Sequence, residues 1–275
     1  MALLGTRVYL GLDASAVTAT ALADGLGRSR PRGFARVALE PGALAPSPSG
    51  ANLPGADEVR AAVRRAVSGL GGRRVTLVLP DGLARIALVD RPSGVDPRDF
   101  VRYHLAASLP WPASEAIVDV LPAGRGRLVG AAVRRATVAE YEQVAAAAGL
   151  EVERVHLAPL LALHGLMRSG ARDAVHAVLG DVAMCLVPFH GGSPAALRNR
   201  RRDRSPGEAD RLLDEASRTS AAAGNGVEPV RLVLSGREAA RLRREIGESV
   251  AEQALAGPGS WPEAAETAWV GGLLS

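Results

Sequence analysis

The sequence predicts an α/β fold built as two like lobes, with a smaller α/β subdomain inserted in the first. Two observations predict it. A triplet of short strands, a helix, a buried strand and another helix recur in the same order in both halves of the chain. Between the halves, the segments from Phe100 to Met167 run as helix, proline-pinned corner, two strands, helix, strand and helix, with almost no slack. The expected division is residues 1–95 with 158–170 for the first lobe, 96–157 for the insert and 171–275 for the second lobe.

Taken in order, residues 8–12 and 17–22 read as a hairpin bent between Asp13 and Ala16, with 34–39 as a third strand after an arginine- and glycine-rich connection at 25–33. Residues 41–54, rich in Pro, Ser, Gly and Ala, read as a mobile loop. A helix opening at Ala56-Asp57 carries Val59, Val63, Ala66 and Val67 on one face. Residues 75–79 form a buried strand closed by Pro80-Asp81-Gly82, and 86–89 another. Asp96-Pro97 starts a helix bearing Phe100, Tyr103 and Leu105, and Pro110 and Pro112 fix the backbone on either side of Trp111. Strands 117–121 and 128–133 pair. Thr137 caps a helix with Tyr141 and Val144 inward, followed by strand 152–157 and helix 159–167.

The second half offers strands at 175–179, 184–187 and 195–198, then the arginine run Arg198 to Arg204. That run reads as a solvated loop; contact with acidic lipid headgroups or an acidic partner is the competing reading. A helix over 206–223 with Leu212 and Leu213 inward, a strand at 230–234 and helices at 238–246 and 264–274 complete the chain.

At 275 residues the chain can bury a sizeable core. Aromatics make up only 3%, so Val, Leu, Ile and Ala must build that core, and the stacking platforms of single-stranded nucleic-acid binders are missing. All 33 basic residues are arginine, which codon bias explains more simply than a phosphate-binding surface. The absence of lysine excludes P-loop and Schiff-base chemistry. Cys185, the single cysteine, lies in an apolar run and reads as a buried structural thiol; disulfides within the chain are excluded. No apolar run approaches the ~20 residues of a membrane span, and the N-terminus does not read as a signal peptide. The five histidines show no metal-ligand spacing, and no Gly-x-Ser-x-Gly elbow is present.

The corner Leu109-Pro110-Trp111-Pro112, and the helix end Ala147-Ala148-Gly149-Leu150, resemble the Ile-Pro-Phe-Pro and Ala-Ala-Gly-Leu segments of one family: the type IV pilus assembly protein PilM and its type II secretion relative GspL. The resemblance extends more weakly over most of the chain. It implies an actin-like, ribonuclease H-like fold of two lobes, an insert, and a second lobe cut short after Arg204.

In ATP-binding members of that fold, two strand-turn-strand hairpins grip the phosphates, each with an Asp that orders Mg²⁺ and a glycine that lets backbone N–H groups approach. The first hairpin resembles Gly-Leu-Asp-Ile-Gly-Ser-Ser-Ser-Val-Lys; here Asp13 is kept, Ser15 stands at the phosphate-facing glycine, Thr18 follows, and Thr20 replaces the lysine. The second resembles Val-Asp-Ile-Gly-Ala-Ser, but Gly180 and Asp181 stand in altered order, and Asp181 reads more readily as a solvated turn residue. The adenosine segment Leu-Ser-Gly-Gly appears as Leu234-Ser235-Gly236-Arg237, where Arg237 reads either as a ligand contact or as an ordinary first-turn residue.

Three altered motifs point away from ATP turnover. The resemblance therefore implies a non-catalytic cytoplasmic scaffold, peripheral to the inner membrane, in a type IV pilus or type II secretion platform. It implies no resident cofactor, no nucleic acid, and as partners a PilN-like membrane protein with a short cytoplasmic tail together with other platform subunits. The tail is expected in a groove shaped by Phe100, Tyr103, Leu109 and Trp111. The alternative is a nucleotide-binding ATPase or kinase of the actin, sugar-kinase and Hsp70 superfamily. It would hold ATP and Mg²⁺ at Asp13, Ser15, Thr18, Gly180, Asp181, Ser235 and Gly236. A nucleotide-dependent filament former is a third reading.

Overall fold

A computed structural model describes residues 6–24, 29–224, 231–247, 250–253 and 267–274. The chain opens with β1 (Thr6–Asp13), β2 (Ala16–Asp24) and β3 (Ser29–Ala38), an antiparallel meander, and continues through α1 (Ala56–Val67) to β4 (Arg74–Leu79), which lies parallel to β1. From Val75 onward every residue of β4 is buried, as expected of a central parallel strand covered on both faces. The chain then leaves this sheet for β5 (Arg85–Asp90), α2 (Pro97–Leu105), β6 (Ala116–Pro122) and β7 (Arg127–Arg134), whose strands form a separate sheet ordered β5-β7-β6. The Asp96 carboxylate caps α2 by accepting the amides of Arg98 and Asp99, and Pro97 at the first helical position needs no partner. Through α3 (Arg135–Ala147) the chain returns as β8 (Glu151–Leu157), parallel to β4, and leaves by α4 (Ala158–Arg168).

The second half repeats the plan. It comprises β9 (Val175–Leu179), β10 (Ala183–His190), the short β11 (Ser193–Pro194), β12 (Arg198–Arg201), α5 (Glu208–Ala222), β13 (Leu232–Gly236), α6 (Ala239–Ile246), β14 (Ala251–Gln253) and α7 (Ala268–Leu274). The first sheet runs β3-β2-β1-β4-β8. The second runs β10-β9-β13-β14, with β11 and β12 both paired to β10. In each sheet the first strand of the meander is central and the next two parallel strands extend on its far side. The predicted two-lobed α/β architecture is the one observed.

Several details differ from the sequence reading. Strand β8 pairs in the first sheet rather than in the insert, and β5 belongs to the insert's sheet rather than to the first lobe. Helix α3 begins at Arg135, so Thr137 lies inside its first turn and caps nothing. The third strand of the second lobe falls at 198–201 rather than 195–198 and recruits part of the arginine run. Val230 and residues 264–266, expected in the last strand and the last helix, lie outside the described residues. Residues 41–54 are held in place: the Glu140 carboxylate accepts the amides of Asn52 and Leu53 and the Asn52 side chain, and Leu44 and Asn52 are buried.

The first core gathers Leu10, Val17, Val63, Leu77 and Tyr141, and the second gathers Leu186, Leu212, Leu232 and Leu242. The insert's sheet is covered by α2 through Val101 and Leu105 on one side. Toward the second lobe, Val129 packs with Leu163, Val187 and Phe189. Helix α7, though it ends the second lobe, places Trp269 and Val270 against Tyr9, Phe34 and Val78 of the first. Its Gly272 lies so close to the Leu161 carbonyl of α4 that any Cβ would overlap it.

Candidate functional site

Four chain reversals face one another between the lobes: the β1–β2 turn, the end of β4, the β9–β10 turn and the β13–α6 turn. Each follows a strand of the shared plan, so the duplicated topology places them together. Asp13 accepts the Ala14 amide at 2.8 Å within its own turn. The Ser15 amide crosses the cleft and donates to Asp181 Oδ2 at 2.8 Å. Arg36 reaches Ser15 Oγ at 3.3 Å, and Arg237 Nε lies 3.3 Å from Asp181 Oδ1. Asp181 is therefore a buried cross-lobe residue, not the solvated turn residue expected from sequence; its side chain is 3% exposed. Arg237 serves neither expected role alone: it neutralises Asp181 and its amide donates to Leu179 O. Thr18 and Ser235 are buried nearby. Gly236 adopts φ +94, and a Cβ there would overlap the Leu179 carbonyl, so the turn requires glycine on two counts.

Sequence reasoning passed over Asp81. It is buried, Gly180 packs directly on its carboxyl, and Oδ1 has no hydrogen-bond partner. Burial, with Asp181 close by, pushes the Asp13 carboxyl up to about 7. Burial, followed by the charges of Asp13 and Asp181, likewise holds Asp81 well above the usual carboxylate range. The only clue in the sequence was an acid two residues beyond a largely apolar strand, which also fits a turn. Trp269, the other omission, lines the same cavity and packs its ring on Gly11.

The cavity bounded by these turns measures about 50 Å³. Small-molecule pockets occupy roughly 300–1,000 Å³, so it has room for little more than water. Beside it, the space between the β9–β10 turn and the start of α5 is filled by protein. Arg202, with a side chain 1% exposed, donates to Gly180 O at 2.7 Å, Arg237 O at 3.0 Å, Glu208 at 2.5 Å and Glu238 at 3.1 Å. Arg204 and Arg241 close the cluster on Glu238 and Glu208. Burial opposes ionisation of Glu238, but hydrogen bonds from Arg204 and Arg241 hold its carboxyl at about 2. The expectation of a solvated arginine loop fails at Arg202, where the run turns inward.

For ATP with Mg²⁺, these residues are a poor match. The Ser15 amide is committed to Asp181, Arg237 is paired with it, and Arg202 bridges the second hairpin to the β13–α6 turn. Among the described residues no group of three His, Cys, Asp or Glu side chains is arranged to hold a metal ion. Cys185 is buried, and burial raises its thiol to about 12.

The four residues expected at a partner groove lie on the insert's α2 and the corner that follows. Phe100 stacks on His104 with centroids 6.1 Å apart, and Tyr103 is 84% exposed. Leu109 packs partly buried against the insert's core, and Trp111 is buried with Nε1 lacking a partner. None of the four lines the inter-lobe cavity. No described helix is long and apolar enough to cross a membrane.

No family model matches the chain, and no curated protein matches its sequence. Solved structures do match. The structure of a PilM–PilN type IV pilus biogenesis complex superposes with a TM-score of 0.70 at 17% identity, covering 98% of this chain and 97% of that one. A Bacteroides thetaiotaomicron protein of actin-like ATPase fold and unknown function gives 0.62 at 10% identity, covering 98% and 95%. The cytoplasmic domain of EpsL, an inner-membrane component of the type II secretion system of Vibrio cholerae, gives 0.52 at 16% identity, covering 84% and 82%. The chain has the actin-like fold.

Proposed function

We propose that this protein is a non-catalytic actin-like scaffold of an inner-membrane assembly platform of the type IV pilus or type II secretion kind. It would dock the cytoplasmic tail of a PilN-like membrane protein and sit at the membrane through that partner. One observation carries the non-catalytic reading: the Ser15 amide is engaged by Asp181, and Arg202 spans Gly180, Arg237, Glu208 and Glu238. The structural likeness to a PilM–PilN complex supports the partner class.

Docking would use the insert. Tyr103 on α2, with Phe100 one turn away, offers aromatic surface to an extended segment, and main-chain hydrogen bonds would add affinity. The partner to test is a small protein with one N-terminal membrane helix encoded beside this chain. Its labelled tail peptide should bind the full chain, and the Phe100→Ala, Tyr103→Ala variant should weaken binding without changing the melting temperature. Absence of binding, or binding indifferent to both substitutions, would refute this docking assignment.

A nucleotide-dependent enzyme is the second reading, favoured by the convergence of Asp13, Asp81 and Asp181 and by the unpaired Asp81 Oδ1. Its signature is ATP hydrolysis that Asp13→Ala abolishes.

A further inference from the structure

An open groove of about 840 Å³ runs between the lobes on the side of β12, separate from the aromatic face of α2. One wall is the 41–55 segment, held in place by Glu140, which presents Ala45, Pro46 and Pro48. Val182 of the second lobe adds further apolar surface. The lining carries Arg85 of β5 together with Arg200, Arg201 and Arg204 of the second lobe. Their charges are unequally balanced. Arg204 is bound to Glu238, and Arg200 lies 3.5 Å from Glu215. Arg85 and Arg201 are exposed and have no carboxylate partner among the described residues. Arg85 is nevertheless held in place, since its Nε donates to the Ser108 carbonyl at 3.1 Å.

We propose that this groove is a second docking site, which takes an extended acidic segment of a partner protein. Two unneutralised guanidinium groups, Arg85 of β5 and Arg201 of β12, line the same groove, so a segment lying in it meets positive charge from both strands. The floor does not oppose it. Asp81 is pushed toward its neutral form, and Asp181 is engaged by Arg237 and the Ser15 amide. Beyond the rim, β12 pairs on one side only, with β10. Concavity with apolar walls suits a peptide with alternating acidic and apolar side chains, whereas a flat anionic membrane would touch only the rim.

The test titrates the full chain into a fluorescein-labelled peptide of about ten alternating acidic and leucine residues, long enough to lie extended through the groove. The site predicts saturable, salt-sensitive binding, and Arg85→Glu with Arg201→Glu should weaken it roughly tenfold. A control of equal charge change, Arg154→Glu with Arg168→Glu, should leave it near the parent value. A photo-crosslinking version of the peptide should attach within residues 45–48 or 199–204. Failure of the acidic peptide to bind, equal loss in the control pair, or crosslinks elsewhere would overturn the proposal. So would co-sedimentation with phosphatidylserine vesicles that the Arg85 and Arg201 changes abolish while the peptide remains unbound. Binding of the PilN-like tail should be indifferent to these changes, which separates this site from the one on α2.

Discussion

Arg202 decides the character of the cleft. One guanidinium with its side chain 1% exposed makes contacts to two carboxylates and two backbone carbonyls, tying the β9–β10 turn to the start of α5 and of α6. Arg202→Ala leaves the buried Gly180 and Arg237 carbonyls without their donor and takes one guanidinium from each of Glu208 and Glu238, so denaturant unfolding should report a loss of roughly 3 kcal/mol. Nothing in the sequence separates Arg202 from Arg200 or Arg201; its burial depends on Glu208 and Glu238 closing around it. Asp13 makes a second prediction. Its folded pKa, about 7, stands above the ordinary 3.8, so the native state binds more protons between those values and stability falls as pH rises through that window. Asp13→Asn keeps the acceptor for the Ala14 amide and cannot ionise. It should lessen the decline between pH 4 and 7, leaving the share due to Asp81, and raise stability at pH 8 by roughly 1–3 kcal/mol. Asp13 itself was legible as a cleft residue because its hairpin resembles a known motif. Asp81 was not, because a Pro-Asp-Gly reversal has many uses.

At the scale of elements, the strands and helices were readable where apolar periodicity was local. The runs 75–79 and 175–179 and the capped helix at Asp96 appear where expected. Errors arose where a long-range contact decided the outcome. The segment 41–54 has the composition of a mobile loop, yet Glu140, far along the chain, accepts three of its donors. Glu140→Ala should therefore increase amide hydrogen exchange across residues 45–53 and leave exchange in β9 and β13 unchanged. Strand β8 was assigned to the insert because it follows it in sequence; only its pairing with β4 returns it to the first sheet. Helix α7 belongs by sequence to one lobe and packs on the other. A Cβ at Gly272 would meet the Leu161 carbonyl, so Gly272→Val should lower stability by roughly 1–3 kcal/mol in thermal unfolding.

For the whole molecule, two sheets of like order, an inserted sheet packed toward the second lobe and a helix exchanged between lobes form one joined body around a small cleft. The Ser15–Asp181 bond and the Gly180–Asp81 contact cross between the lobes. The repeat of elements made this architecture legible from sequence. The contacts across the cleft were not legible there, because they join residues far apart in the chain. The most direct test is calorimetric titration of the full chain with ATP and Mg²⁺, alongside an Asp13→Ala variant. The account predicts no saturable heat in either protein. Saturable binding by the parent chain that Asp13→Ala abolishes would contradict it.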